Sequence, residues 1–436
     1  MLGYNMIRKL RVLVLLDFFV ILSLVSRGKC LDLPRSLFPD LDQSDSSSES
    51  DSVEADIKTP IIFVPGDGGS QLNAKLNKTD AVHYLCTKKT SDYFNIWLNL
   101  ELLVPIVIDC LIDNLQLRYD PKTRKTFNAP GVDIQIPGWG NSSVVEWIDP
   151  SSASSGAYFS RLAASLLPLG YDRITSLRGA PYDFRKAPNE NQDFFSKMRL
   201  LVEEAYQQNN NTPVLLVAHS MGGPMTLLFL QDQPQSWKDK YIRAFVTLSG
   251  AWGGSVKALK VFAIGDDLGE YFLRSSVLRA VQMTMPSVAW LLPSDLFWKP
   301  NEVLVETESR NYTIEDYEDF FNDISYPVGW EMRKDVHKYS QRFAPPGVEV
   351  HCLHGYGVRT IEKMVYKKGK WPTGYPEFAF GDGDGTVNKR SLEGCIYWSG
   401  KQKQKVYHQV FPKVDHMQIL ADKNVILYIQ NLLTKL

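Results

Sequence analysis

Short apolar runs rich in β-branched and aromatic residues recur along the chain, and each ends in a cluster of small or turn-forming residues. Ile61–Val64 is followed by PGDGGS, Val214–Val217 by AHSMGG, Phe245–Leu248 by SGAWGG, Val348–Leu353 by HGYG and Val406–Phe411 by PKVDH. Runs of this length and composition predict buried strands. Between several of them the apolar positions take a helical spacing, as in Tyr158–Leu167 and Gln192–Gln207, and Val425–Leu433 predicts a closing helix. Strands alternating with helices predict a mostly parallel sheet and an α/β fold. Residues 254–345 break the rhythm with a segment too long for a simple crossover, which predicts a cap inserted into that fold.

The N-terminus has a different pattern. Arg8, Lys9 and Arg11 precede an apolar run from Val12 to Val25, interrupted only by Asp17 and Ser23, with small Ser26 and Gly28 after it. That arrangement predicts an export signal over residues 1–28, an uncleaved anchor being the alternative. Residues 29–57, acidic and Ser-rich from 39 to 56, predict a solvated linker, because they offer too little apolar surface to order themselves. The folded domain is expected over 58–436, with no later stretch apolar and uncharged enough to span a bilayer. Either reading of the N-terminus directs the domain to a lumen or out of the cell, so lysosomal or secreted residence is expected.

Charge narrows the partners. The 436 residues carry 48 basic and 49 acidic side chains, a net charge of −1. Nucleic-acid binders usually show a basic excess, so no nucleic-acid partner is expected. A hydrophobic fraction of 44% with 22% charged residues is globular rather than disordered. Of five cysteines, Cys30 lies at the edge of the signal, leaving Cys86, Cys110, Cys352 and Cys395. An even number in an exported chain suggests two disulfides among three pairings, and local closure gives Cys86–Cys110 and Cys352–Cys395. No CxxC or HxxxH spacing accompanies them, so no metal and no cofactor is expected. Asn77, Asn141, Asn210 and Asn311 head glycosylation sequons, which fit a lumenal chain.

The chemistry concentrates in VLLVAHSMGGPMTLLFLQ, residues 214–231. A buried strand runs into Ala218-His219-Ser220-Met221-Gly222, and a helix with Pro224 in its first turn follows. This is the small-x-Ser-x-Gly nucleophile elbow, whose strained turn lifts the Ser hydroxyl above the sheet and tolerates no bulk beside it. Such a Ser needs a base, and the base an orienting carboxylate. In this fold they follow in the order Ser, acid, His. Only His408 and His416 are close to the C-terminus. His408 falls inside a strand pattern, whereas His416 falls in the loop after it, where an imidazole can reach over the sheet edge. His219, adjacent to the Ser, is expected to point away from its hydroxyl. For the acid, FGDGDGTV (380–387) is a strand end dissolving into a Gly-rich loop, and pattern alone leaves Asp382 and Asp384 both open. It lacks the further acidic ligands of a calcium loop. The oxyanion of acyl transfer needs backbone donors: one is the N–H of Met221, and VPGDGGS (64–70) is placed to supply the second.

These residues carry a resemblance. From Lys58 onward, VPGDGGSQLNAKL, NIWLNLELLVPIVIDC, RGAPYDFRKAPNEN, VAHSMGG, WKDKYIRAFVTL, FGDGDGTVNKRS and the terminal DH before an apolar helix resemble the lecithin:cholesterol acyltransferase family. The resemblance implies an α/β-hydrolase fold with a cap or lid insertion and a small disulfide-closed membrane-binding subdomain. It places the nucleophile on Ser220, the acid on Asp384, the base on His416 and the oxyanion donors on Asp67 and Met221. It also implies the disulfides Cys86–Cys110 and Cys352–Cys395. Asp67 and AHSMG resemble the phospholipase branch rather than the sterol-acylating one. Two departures stand out: Gly68, where relatives carry a bulky apolar residue, and Gly223 in place of Asn.

The segment closed by Cys86 and Cys110 is apolar and would ordinarily be core. The resemblance instead implies that 82–115 docks on a phospholipid surface through Trp97, Leu98 and Leu100, and that 254–345, with its GDDLG turn at 265–269, holds a mobile lid. The implied activity is cleavage of a fatty-acyl ester of glycerophospholipids, with acyl transfer to water or to a lipophilic alcohol such as ceramide. The alternatives are a sterol or diacylglycerol acyltransferase and a catalytically silent lipid carrier.

Overall fold

The computed structural model describes residues 58–104, 106–269 and 273–435. The expected export signal over 1–28 and linker over 29–57 lie outside these residues.

Six parallel strands form the central sheet: β1 (Ile61–Val64), β2 (Leu177–Gly179), β3 (Val214–His219), β4 (Ile242–Leu248), β5 (Val350–Tyr356) and β6 (Val406–Pro412). Their spatial order is β6-β5-β4-β3-β1-β2. Every residue of β1 and β3 is buried, as a parallel sheet covered on both faces requires. Side chains alternate between the faces. Ile62, Val64, Leu216 and Ala218 join one apolar cluster with Met198, Leu201 and Met225. Ile61, Phe63, Leu215 and Val217 join the other with Phe159, Leu162, Val425 and Ile429. The first face is therefore covered by α1 (Gln192–Gln208) and α2 (Gly222–Gln231), and the second by the helix Ser160–Leu166 and by α3 (Lys423–Leu433). The apolar spacing of α1 delivers Phe194, Met198, Leu201, Val202 and Ala205 to the interior. This is the α/β-hydrolase arrangement, with the elbow at the end of an inner strand.

Two insertions flank the strand ends. In the first, Phe94–Trp97 pairs antiparallel with Leu72–Leu76, which pairs with Val132–Gln135. The helix Ile108–Leu115 then buries Ile108, Leu111, Ile112 and Leu115. Cys86 and Cys110 are joined by a disulfide. The expectation that Leu98 faces a membrane is corrected here: Leu98, in the turn that follows the strand Phe94–Trp97, is 7% exposed and belongs to the main core. Trp97 and Leu100 are half-buried. The apolar side chains that do face outward are Val82, Tyr84, Leu85, Tyr93, Val104 and Ile106.

The second insertion lies between β4 and β5 and contains the helices Val256–Ile264, Ser275–Gln282, Pro286–Trp290, Tyr317–Asp323 and Pro327–Ser340. At its GDDLG turn, Asp266 is buried and ion-paired with Lys260 at 2.7 Å and Lys257 at 3.3 Å. That end of the turn is therefore anchored in the cap, while Asp267 is half-buried and Leu268 and Gly269 are exposed.

Beyond β5 the chain makes an antiparallel excursion, Val358–Val365 against Glu377–Gly383. It returns Asp384 to a bridge with Val358, beside the end of β5. A second disulfide, Cys352–Cys395, ties β5 to the short helical turn Glu393–Trp398. Among the described residues no helix is long and apolar enough to cross a membrane.

Candidate active site

At the end of β3 the chain turns so sharply that Ser220 adopts a φ of 55°, a left-handed conformation unusual for a residue with a side chain. Its N–H donates to Leu248 O at 2.9 Å and its carbonyl accepts from Gly223 N–H at 3.0 Å, which fixes the bend. A Cβ on Gly222 would lie 2.5 Å from both Val64 O and Pro65 O, so only glycine fits beside β1. The bend presents the Ser220 hydroxyl at the sheet's C-terminal edge, at the start of α2.

His416 arrives from the loop after β6, and its Nε2 lies 2.9 Å from Ser220 Oγ. Its Nδ1 lies 2.7 Å from Asp384 Oδ2. The backbone repeats the link, His416 N–H donating to Asp384 O at 2.8 Å. Burial alone would favour the neutral carboxyl of Asp384. The charge and hydrogen bond of His416, with the N–H groups of Val387 and Thr386 donating to Oδ1, outweigh it and hold the group below the usual carboxylate range. Asp382, the other aspartate of the loop, accepts from Gly357 N–H at 2.6 Å and pairs with Lys389 instead. Of the two, the structure brings Asp384 to the imidazole.

His219 points away from the hydroxyl, as expected, and reveals two supports that the sequence did not. The Tyr158 hydroxyl accepts from Gly66 N–H at 3.0 Å and so donates to His219 Nδ1 at 2.5 Å. Nε2 of His219 then carries the hydrogen and donates to His416 O at 2.8 Å. Burial, followed by the nearby His416, lowers the His219 pKa to about 3, so the ring stays neutral in this role. One relay thus runs from the loop after β1, through Tyr158 and His219, to the loop that carries His416. No local pattern marks Tyr158, because its partners are remote in sequence.

The loop after β1 places Asp67 beside the elbow. Neither Asp67 N–H nor Met221 N–H finds an acceptor among the described residues. Asp67 is solvent-exposed at the residue level, yet its carboxyl is partly desolvated by the surrounding protein. That desolvation pushes its carboxyl up to about 7, with Lys257 opposing the shift. Trp97 closes over this loop, donating from Nε1 to Gly68 O at 2.8 Å while its ring packs on Phe184. Gly68 holds a φ of 73°, and a Cβ there would meet the Trp97 ring at 3.5 Å, so a side chain would be backbone-strained rather than crowded.

His408 lies on β6, away from Ser220, with its Nε2 facing His354. Among the described residues, side chains able to share a metal cluster away from the hydroxyl. They are His354, Glu393 and His408, whereas His83 lies beside Cys86 and Cys110, whose sulfurs are bonded to each other and offer no thiolate. All four sequon asparagines are exposed.

A parallel sheet with a strained Ser at the end of an inner strand, linked in series to an imidazole and a buried carboxylate, defines a serine enzyme of the α/β-hydrolase fold. Within that class, the sequence profile of the lecithin:cholesterol acyltransferase family matches residues 93–423, and the chain belongs to that family. It is 47% identical over 374 residues to lysosomal phospholipase A and acyltransferase of Homo sapiens, covering 86% of this chain and 90% of that protein. It is 41% identical over 362 residues to phosphatidylcholine-sterol acyltransferase of Gallus gallus, covering 83% and 87%. A solved structure described as "The crystal structure of Tle4-Tli4 complex" superposes with a TM-score of 0.50 at 13% identity, over 87% of this chain and 99% of that one, a likeness of fold alone.

Proposed function

We propose that the protein is a phospholipase A and O-acyltransferase that removes a fatty-acyl group from glycerophospholipids and delivers it to water or to a lipophilic alcohol such as ceramide. The observation that carries this reading is the unbroken series Ser220 Oγ, His416 and Asp384 at 2.9 and 2.7 Å, in a chain 47% identical to a phospholipase A and acyltransferase.

Nε2 of His416 takes the Ser220 proton as Oγ attacks the ester carbonyl, and Asp384 stabilises the imidazolium that forms. The oxyanion is held by the N–H groups of Asp67 and Met221, a contribution of roughly 10²–10³ in rate per donor. His416 returns the proton to the departing glycerol oxygen, and lysophospholipid leaves. The acyl group, now an ester of Ser220, passes to water or to an alcohol whose proton His416 removes in turn. Backbone donors and imidazole supply the charge stabilisation and the proton transfers.

Reaching a lipid in a bilayer falls to the first insertion. Its outward-facing Val82, Tyr84, Leu85, Val104 and Ile106 support a docking edge on a phospholipid surface, in place of Leu98. The GDDLG turn of the cap is assigned to a lid over the acyl groove. The lysosomal names of the relatives and the four exposed sequons support lumenal residence, lysosomal or secreted. The test is incubation with liposomes of phosphatidylcholine and ceramide, with all acylated products resolved. Free fatty acid and acylated ceramide, both lost in Ser220→Ala, are expected. Dominant cholesteryl ester when sterol is included would overturn the phospholipase reading.

A further inference from the structure

We infer that His354, Glu393 and His408 form a binding site for a divalent transition metal of the zinc class, separate from the Ser220 chemistry. His354 lies on β5 and His408 on the neighbouring β6. The register pairs Cys352 with His408, so Cys352, His408 and, two residues on, His354 share one face of the sheet. Glu393 opens the helical turn whose Cys395 is bonded to Cys352. One disulfide therefore holds the carboxylate against the face that carries both imidazoles. One ligand atom from each residue lies within 4.8 Å of the other two.

The second contacts are those of a metal ligand. Nδ1 of His354 donates to Gly355 O at 2.8 Å, which leaves its Nε2 lone pair directed outward. That lone pair faces His408 Nε2 at 2.8 Å. Without a metal, His408 must supply the hydrogen between the two nitrogens. With one, that hydrogen moves to His408 Nδ1 and both Nε2 atoms become donors to the ion. Two bonds of about 2.0–2.1 Å in a tetrahedron need the nitrogens roughly 3.3 Å apart, an opening of about half an ångström. His408 is exposed and can move by that amount, whereas His354 is fully buried.

The Glu393 side chain has no hydrogen bond or ion pair among the described residues, and the residue is half-open to solvent, so its carboxylate is available. Asp384 lies within electrostatic reach of His354, adding negative charge, and the nearby Lys389 is paired with Asp382 at 3.4 Å. Two imidazoles and one carboxylate, with water completing the tetrahedron, suit zinc rather than magnesium or calcium. No sequence spacing announces such a site, because the three ligands come from two strands and a turn that meet only in the fold.

The test uses the full-length protein stripped with chelator and titrated with zinc sulfate at neutral pH. Bound zinc is read by equilibrium dialysis with metal analysis, and thermal unfolding with and without zinc is read in parallel. His354 is kept intact, since a change at a fully buried position risks the fold. The expected result is one zinc per chain and a zinc-dependent rise in Tm for the wild type and for His416→Ala. His408→Asn and Glu393→Gln should each weaken binding at least about tenfold and lose the Tm rise. No binding by the wild type at micromolar zinc, or full binding by both surface variants, would overturn the site. Loss of binding in His416→Ala would also overturn it, by placing the zinc on the catalytic imidazole.

Discussion

Replacing Asp384 by Asn removes one charge with almost no change in shape, and the consequence can be worked out bond by bond. Oδ1 of Asp384 accepts from the N–H groups of Val387 and Thr386 at 2.7 and 3.1 Å. An asparagine must place its carbonyl oxygen there, because an amide NH₂ cannot face two donors. The NH₂ then occupies the Oδ2 position, 2.7 Å from His416 Nδ1 in the wild type. Nδ1 becomes an acceptor, so the ring hydrogen shifts to Nε2, the atom 2.9 Å from Ser220 Oγ. The imidazole then donates to the hydroxyl it is required to deprotonate. A wrong tautomer of this kind costs about 10⁴ in rate, or roughly 5.5 kcal/mol at 1.36 kcal/mol per tenfold. Asp382→Asn keeps an acceptor for Gly357 N–H and loses only the pairing of a side chain 39% exposed with Lys389. Its rate should stay within a few-fold of wild type, since exposed ion pairs contribute about 0–1 kcal/mol. The assay is the initial rate of fatty-acid release from phosphatidylcholine liposomes, with thermal unfolding confirming that both variants fold. Equal losses, or a folded Asp384→Asn enzyme with a tenth or more of the wild-type rate, would refute the reasoning.

Three further predictions rest on other contacts. Asp67, with its carboxyl pushed up to about 7, is neutral below that pH and a carboxylate above it, on the same residue whose N–H is assigned to the oxyanion. At pH 5 roughly one molecule in a hundred carries the charge. Wild-type kcat/KM should therefore fall as pH rises through 7, while Asp67→Asn keeps its rate there; superimposable profiles would dismiss the effect. Tyr158→Phe strips a partner from Gly66 N–H and from His219 Nδ1, each loss costing about 1–3 kcal/mol in a buried setting. A lower Tm and a lower kcat with unchanged liposome binding are expected, and wild-type values for both would remove Tyr158 from the relay. Tyr84→Ser combined with Ile106→Ser removes side chains 93% and 62% exposed, each contributing about 1.5–3 kcal/mol when inserted in lipid. Liposome co-sedimentation should fall at least tenfold with hydrolysis of a water-soluble ester preserved, and unchanged co-sedimentation would move the docking edge elsewhere.

The sheet and the elbow were legible because their signals are local. A buried run followed by small residues and a helix marks β3 and Ser220, and the same grammar marks β1, β4, β5 and β6. His416 was legible from its place after the last strand. The choice between Asp382 and Asp384 was not, because both sit in one Gly-rich loop. It is decided by the antiparallel excursion that sets Asp384 opposite Val358. β2 is three residues long and carries the buried Arg178, so no apolar run announced it. Leu98 was assigned to a membrane because an apolar run does not reveal which of its sides the fold turns inward. Tyr158 and the His354–Glu393–His408 group were invisible for one shared reason: their partners converge from segments far apart in the chain.

The central claim is that Ser220 carries the acyl group between donor and acceptor. Turnover on phosphatidylcholine liposomes, quenched in acid within the first seconds and digested for mass spectrometry, tests it most directly. The peptide containing Ser220 should gain the mass of the donor's fatty acyl group, and it should stay unmodified in His416→Ala. Acyl mass on another residue, or robust turnover with Ser220 never modified, would contradict the account.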